Sequence, residues 1–453
     1  MTFAVHITRK WYGHEEEYHA MNNRDTDRHY VMNRRSALVT AGGLFAAGAL
    51  AACGTNASSS PASQSASVVP GLEPIADNCL DPTMANQAAT YRNIDRQKLG
   101  TRVIPRDPNR TSPLPGSGKS LNGLRYTYKG TERTLDSFVA DNRISGLLVL
   151  KDGAIVHEQY AMGNTETSRW TSMSIAKSVT ATLIGAALVD GAIGSLDDPI
   201  PQYVPELKDS AYKDNTIRQV LQMVSGVKWV EDGANDPYGD NDIARMFNGV
   251  YGNDPSAVME LMRTRPRAAA PGTVFNYSTG EAYVASTLLA NATGKTVSDY
   301  LSEKIWRPAG MEADGYWMLD NPGGRELGGS CFQATLRDYG RLGQFIMTPP
   351  EGVLPKGWRD EAGKPQSPIT QYDMYPDDPD HYGYGYYWWC FPPGVVGARG
   401  PAPTFMGMGH GGQRLYINPS ERVAAVLWSA WPNKQGRDDE FFVVLDGVVN
   451  ALR

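Results

Sequence analysis

Trp170-Thr171-Ser172-Met173-Ser174-Ile175-Ala176-Lys177-Ser178-Val179-Thr180-Ala181-Thr182-Leu183-Ile184-Gly185-Ala186-Ala187-Leu188 sets a serine at the mouth of an apolar run of helical length, with a lysine three residues on. Residues three apart share a helix face, so the Lys177 amine lies beside the Ser174 hydroxyl and can take its proton. A helix start also directs unpaired N–H groups and a partial positive charge toward an oxyanion formed there. The same spacing recurs at Ser210-Ala211-Tyr212-Lys213 and Ser225-Gly226-Val227-Lys228. The first lies among Asp209, Asp214 and Asn215 and reads as a loop. The second carries Gly226 in its would-be first turn, at a cost of roughly 1 kcal/mol relative to Ala. Only the segment after Ser174 has the length and apolarity of a buried central helix.

The chain of 453 residues, 41% hydrophobic and 10% aromatic, is long enough for a sizeable core. Lys+Arg 43 against Asp+Glu 49, without a basic block, argues against nucleic acid as the main partner. Residues 1–52 read as a leader with a signal peptide, in which Met32 is a candidate true start. Arg34-Arg35 precedes an uncharged Ala-, Gly- and Leu-rich run from Ser36 to Ala52, short for a membrane span and matched to a signal peptide's apolar region. Leu50-Ala51-Ala52-Cys53 resembles a bacterial lipobox, which makes Cys53 the lipidation site and implies an exported, extracytoplasmic protein anchored to the membrane by lipid. Residues 53–72 continue as a Ser- and Ala-rich flexible tether. Cys79, Cys331 and Cys390 remain beyond it, an odd number that selects no disulfide. Of the seven histidines only His157, His381 and His410 follow the leader, and no metal-ligand spacing survives, so neither metal nor cofactor is expected. Gly-x-Ser-x-Gly is absent, which counts against an α/β-hydrolase. Gly116-Ser117-Gly118-Lys119-Ser120 fails as a phosphate loop, because Pro113 stands where its first glycine is required.

Residues 73–143 read as an irregular extension with one short helix near Thr134–Ala140, and 144–453 as the main domain. Gly146–Leu150 and Ala154–Tyr160, split by Lys151-Asp152-Gly153, predict a hairpin. A mostly helical stretch follows over about 196–305, clearest at Ile217–Val224 and Glu281–Ala292, and residues 349–381 form a Pro- and Asp-rich connection. Strand patterns return at Tyr384–Cys390, Arg414–Ile417 and Val423–Ser429, with Phe441–Leu452 as a closing helix. This order implies one sheet assembled from both ends of the chain around an inserted helical region.

A serine–lysine pair needs a further proton carrier, and Pro271-Gly272-Thr273-Val274-Phe275-Asn276-Tyr277-Ser278-Thr279-Gly280 supplies a candidate. With this second motif the chain resembles the β-lactamase-related serine hydrolases, the superfamily of class C β-lactamases and penicillin-binding proteins. Their elements are Ser-x-x-Lys, Tyr-x-Asn or Tyr-Ser-x, and a late glycine-containing strand. Within it the chain is most similar to the 6-aminohexanoate-dimer hydrolase branch, from about Gly146 to the C-terminus. The similarity includes Arg169-Trp170-Thr171-Ser172, Asp197-Asp198-Pro199, Tyr203-Val204-Pro205-Glu206-Leu207, Ser225-Gly226-Val227-Lys228-Trp229 and Gly409-His410-Gly411-Gly412-Gln413.

The resemblance implies an α/β (α+β) fold, a β-lactamase/transpeptidase-like antiparallel sheet flanked by helices. It makes Ser174 the nucleophile, Lys177 its base and Tyr277 a proton relay. Thr279 stands where many relatives have Asn, so an amide contact to substrate does not carry over. The late strand Gly407-Met408-Gly409-His410 lacks the lysine of Lys-Thr-Gly, which weakens the anchoring of a β-lactam carboxylate. Its glycines permit close backbone approach, and the His410 N–H is expected to join that of Ser174 as oxyanion donor, with Gln413 the other alignment. The His410 side chain reads equally as catalytic or as an edge-strand packing group. Trp229, Glu231, Asp232, Tyr238, Asp240 and Asp242 fall in a loop that borders the substrate in the family, and Trp229, Asp232, Tyr238, Asp242 and Thr279 are the candidate binding residues. An acidic side chain there suits a substrate ammonium, or is simply solvated. The expected function is hydrolysis of a small-molecule amide or ester through an acyl-enzyme. The alternatives are a β-lactamase or D,D-peptidase, and a non-catalytic binding lipoprotein.

Overall fold

A computed structural model describes residues 73–80, 82–231, 241–364, 367–368, 383–391, 398, 400–432 and 438–453. The expected lipidation site Cys53 with its leader and tether, and the candidate binding residues Asp232 and Tyr238, lie outside these residues. The strands are β1 (Thr101–Ile104), β2 (Arg125–Tyr128), β3 (Thr131–Thr134), β4 (Ile144–Lys151), β5 (Ala154–Tyr160), β6 (Arg169–Thr171), β7 (Gly315–Met318), β8 (Phe332–Thr335), β9 (Ser367–Pro368), β10 (Gly383–Tyr384), β11 (Trp389–Phe391), β12 (Thr404–Gly409), β13 (Gln413–Asn418) and β14 (Val423–Ser429). The helices used below are α1 (Gln87–Arg92), α2 (Leu135–Asp141), α3 (Ile175–Val189), α4 (Ile217–Leu221), α5 (Asp242–Tyr251), α6 (Ala257–Thr264), α7 (Thr279–Thr293), α8 (Leu336–Met347) and α9 (Asp438–Ala451).

The main sheet is antiparallel, in the order β5-β4-β14-β13-β12-β11-β10-β9. The early hairpin β4–β5 therefore joins strands more than two hundred residues later, the two-ended sheet that the sequence implied. Gly407 lies against Ile175 and Ser178 of α3, while Gly340 and Gly343 of α8 lie against Leu148, Leu150, Leu415 and Ala424. These two helices cover one face. On the other, Phe391 meets Tyr416 and Phe442 of α9, and Phe441 stacks on Phe138 of α2. Nearly every residue of α3 is buried, as its uninterrupted apolar sequence requires.

A second sheet, β1-β7-β8-β6, sits beside the N-terminus of α3. Its parts were not legible in the sequence. Strand β1 pairs with β7 more than two hundred residues away, and four residues of mixed polarity carry no period of their own. So the stretch expected to be an irregular extension over 73–143 contains α1, β1 and the β2–β3 hairpin as well as the anticipated short helix. That hairpin turns at Lys129-Gly130, both with positive φ, and Thr134 then closes a capping box on α2. The aromatic run Tyr384–Cys390, expected as one strand, is a tight hairpin in which Tyr387 takes φ 58° and its N–H donates to Gly385 O. Helix α4 ends at Leu221, ahead of Met223 with φ 58°.

Candidate active site

Ser174 occupies the N-cap position of α3, yet its hydroxyl makes no capping bond. The preceding residue, Met173, holds φ at 43°, a left-handed conformation that is uncommon for a side chain of its size. The turn is held by Ser172, whose Oγ donates to Met173 O while its N–H donates to Phe332 O on β8. Strain and tertiary hydrogen bonds together present the Ser174 hydroxyl to the adjoining cleft rather than to its own helix.

Lys177 is one turn on and almost fully buried. Its Nζ lies 2.9 Å from Ser174 Oγ, 2.8 Å from Thr279 Oγ1 and 2.9 Å from Gly329 O. Burial brings its pKa down to about 8, against an opposing pull from the Glu231 carboxylate and the Cys331 sulfur. Thr279 is the pivot of the arrangement. Its hydroxyl donates to Glu231 Oε1 at 2.5 Å and its N–H donates to Glu231 Oε2 at 3.0 Å. Trp229 Nε1 donates to Glu231 Oε2 as well, at 2.5 Å. A threonine hydroxyl has one proton, and Glu231 has claimed it, so Thr279 Oγ1 can only accept from Lys177. Gly329 O can also only accept. A neutral Lys177 amine has two hydrogens and one lone pair; with both hydrogens committed, the lone pair faces the Ser174 hydroxyl.

Tyr277 precedes the N-cap residue of α7 and is held in place by stacking on Trp389 and an edge contact with Tyr384. Tyr277 and Ser174 both line the cleft, and the Lys177 ammonium position lies 4.8 Å from the Tyr277 ring centre. Burial pushes the phenol pKa well up, with Glu231 adding to the shift, so Tyr277 is a protonated phenol throughout the working range.

Strand β12 forms the facing wall. It is an interior strand of the sheet, not the edge expected from the sequence, because β11 pairs with it over Thr404–Met406. Gly407–Gly409 continue past that ladder, alongside the turn that carries Ser174. A Cβ at Gly409 would sit 2.4 Å from Ser172 O and 3.0 Å from Met173 Cβ, so only glycine admits this approach. His410 follows in the turn to β13 and lines the cleft. Gln413 is fully occupied as a clasp. Its Nε2 donates to His410 O, Gly411 O and Ser429 O, and its Oε1 accepts from Trp170 Nε1 and Ser429 N. Of the two alignments for the second oxyanion donor, His410 is at the cleft and Gln413 secures the turn that holds it there.

The apolar residues lining the cleft include Leu80, Ile243, Phe247, Trp389 and Met408, and the polar ones Glu231, Thr279, His410 and Arg414. Ser174, Lys177, Tyr277, Thr279 and His410 are thus brought together. Thr279 contacts Lys177. Trp229 is buried against Gly280 and steers Glu231. Asp242 does not face the cleft: its buried carboxylate accepts from Val230 N at 3.0 Å, Arg245 at 3.0 Å and Arg265 at 2.6 Å, tying the start of α5 to the preceding loop. The acidic group that does reach the cleft is Glu231, and its signal was its place directly after the Trp229-Val230 pair in the Ser-Gly-Val-Lys motif's loop. Among the described residues no group of three or more His, Cys, Asp or Glu is arranged to hold a metal ion.

The beta-lactamase family model matches residues 131–447. The 6-aminohexanoate-dimer hydrolase of Paenarthrobacter ureafaciens is 27% identical over 328 residues, 70% of this chain and 79% of its own length. The D-aminopeptidase of Brucella anthropi is 28% identical over 181 residues, 36% of this chain and 31% of that protein. Among solved structures, a Bacillus anthracis protein with a provisional 6-aminohexanoate-dimer hydrolase name superposes at a TM-score of 0.70, covering 83% of this chain and 95% of its own at 21% identity. A class C β-lactamase from Rhodobacter sphaeroides superposes at 0.51, covering 70% and 98% at 16% identity. At these identities the superpositions establish the shared fold.

Proposed function

The chain belongs to the beta-lactamase family, a superfamily of serine hydrolases, and from that premise we propose that it opens an amide or ester bond through an acyl-enzyme on Ser174. The observation that carries the reading is the 2.9 Å contact between Lys177 Nζ and Ser174 Oγ, with the other two Nζ contacts made to acceptors. Neutral Lys177 takes the hydroxyl proton as Ser174 Oγ attacks the carbonyl carbon. The backbone N–H groups of Ser174 and His410 receive the negative charge that develops on the carbonyl oxygen, an effect worth roughly 3–4 kcal/mol per donor in other enzymes. Tyr277 gives its phenolic proton to the leaving amine or alkoxide and regains one from the Lys177 ammonium. Water entering the vacated leaving-group side then gives up a proton along the same route and releases the acid, restoring Ser174.

The substrate class is a small amide or ester with an apolar segment, taken against Leu80, Ile243, Phe247 and Trp389, as in a 6-aminohexanoate-dimer-hydrolase-like enzyme. A fluorophosphonate probe tests the nucleophile. One covalent adduct by intact mass on the wild type, and none on Ser174→Ala, is the expected result; an unlabelled wild type would leave a binding role for this fold. We further propose that the protein is exported and lipid-anchored through Cys53, a reading supported by the Arg34-Arg35 pair, the apolar run Ser36–Ala52 and the Leu-Ala-Ala-Cys sequence. Recovery in the soluble fraction with an unmodified Cys53 would end that part of the reading.

A further inference from the structure

Cys79 and Cys331 are separated by 252 positions in sequence, yet their sulfurs touch at 3.5 Å and both side chains have no exposed surface. Cys79 lies in the segment ahead of α1, outside the residues that the family model matches. Cys331 lies between Ser330 and β8 with φ at 60°. Both positions are fixed by other contacts. The Cys79 N–H donates to the Tyr251 hydroxyl, which in turn donates to Gln97 Oε1. Cys331 O accepts from Met318 N, and Ser330 Oγ lies 3.1 Å from Cys331 Sγ. The third thiol, Cys390, is buried elsewhere and donates to Trp388 O. All three are free thiols in the structure, and among them Cys79 and Cys331 are in contact while Cys390 stands apart.

The two cysteines also sit behind the active-site cleft. Asn78 and Leu80 flank Cys79, Ser330 precedes Cys331, and all three line the cleft that holds Ser174. A bond between the sulfurs would fasten the N-terminal segment's part of the wall to the part supplied by the β7–β8 connection. We propose that Cys79 and Cys331 form a disulfide that pins the wall of the substrate cleft contributed by Asn78 and Leu80.

The sulfurs must close by about 1.5 Å to reach bonding distance, within the reach of side-chain rotation and small backbone adjustment when both sulfurs already face each other. The oxidant is a small disulfide of the glutathione class. One protein thiolate attacks it and expels a glutathione thiolate, and the second protein sulfur attacks the mixed disulfide and expels the other. Two protein thiol protons are released and the glutathione disulfide is reduced to two thiols. The bond closes a very long loop and so restricts the unfolded chain strongly.

The test is independent of the Ser174 assignment, which the fluorophosphonate adduct decides alone. The full chain is produced in cells whose thiol poise is oxidising, denatured in iodoacetamide, digested and mapped by mass. The expected result is a Cys79–Cys331 linked peptide pair, abolished by dithiothreitol, with Cys390 alkylated. The oxidised chain should melt several degrees above the reduced one, a difference that Cys79→Ser and Cys331→Ser each remove. Reduction should also raise KM for longer acyl nitrophenyl esters while leaving fluorophosphonate labelling intact. Alkylation of both Cys79 and Cys331 without reductant, or a link through Cys390, overturns the proposal.

Discussion

Replacing Glu231 with Gln removes one negative charge and keeps the side chain's shape. Thr279 Oγ1 lies 2.8 Å from Lys177 Nζ and 2.5 Å from Glu231 Oε1. The carboxylate is therefore within roughly 5 Å of the ammonium, where unit charges interact by about 3 kcal/mol at an effective dielectric of about 20, and half that under stronger screening. At about 1.4 kcal/mol per unit, losing the charge lowers the Lys177 pKa by about one to two units. The sign is fixed: the carboxylate favours the ammonium, so its removal favours the neutral amine. Tyr277, kept neutral by burial, and the sulfur of Cys331 also face Lys177 and are unchanged by the substitution. Since only neutral Lys177 accepts a proton, wild-type kcat/KM for a short-chain nitrophenyl ester should rise with pH through about 8. In Glu231→Gln that rise should move to lower pH. The plateau should fall by about tenfold, because an amide can donate to Thr279 and free its hydroxyl to turn toward Lys177, misdirecting the lone pair. A plateau loss with the midpoint unmoved would show that Glu231 only fills space. A wild-type profile without a rise between pH 6 and about 9 would remove Lys177 as the base.

Gly409→Ala should lower kcat/KM by about 100-fold with the circular dichroism unchanged, because the new Cβ forces β12 away from Ser172 and displaces the His410 N–H. Asp242→Asn should lower stability to urea by about 2 kcal/mol, through loss of charge-assisted bonds to two arginines, with KM little changed; a large rise in KM would return Asp242 to the substrate. Nitrocefin should be hydrolysed about 10–100-fold less efficiently than a short-chain ester, since β12 and its turn carry no lysine to hold the β-lactam carboxylate. Comparable rates on the two would favour the β-lactamase reading.

The sequence was most legible where chemistry and local structure coincide. The Ser174–Lys177 spacing lies within one helical turn, so its geometry followed from the period of the helix before any tertiary contact was known. Tyr277 was legible through its flanking motif. The acidic loop was less so, because Glu231 and Asp242 are the same kind of residue in the same kind of segment. Which one reaches Lys177 depends on where Thr279, Arg245 and Arg265 lie, and those are tertiary neighbours. Gln413 illustrates the same limit: the motif offers it and His410 alike, and only the folded chain puts His410 in the cleft lining while the Gln413 side-chain amide binds Trp170 and Ser429.

By itself the sequence determined the two-ended antiparallel sheet, the buried central helix and the closeness of Lys177 to Ser174 on one helix turn, because helical and strand periods act over a few residues and repeat. Tertiary structure decided the partners of the Lys177 amine, the admission of β12 beside Ser174 and the meeting of Cys79 with Cys331. Each of these depends on atoms brought within about 3–4 Å across long chain separations, where hydrogen-bond direction and steric exclusion operate and no local pattern records them.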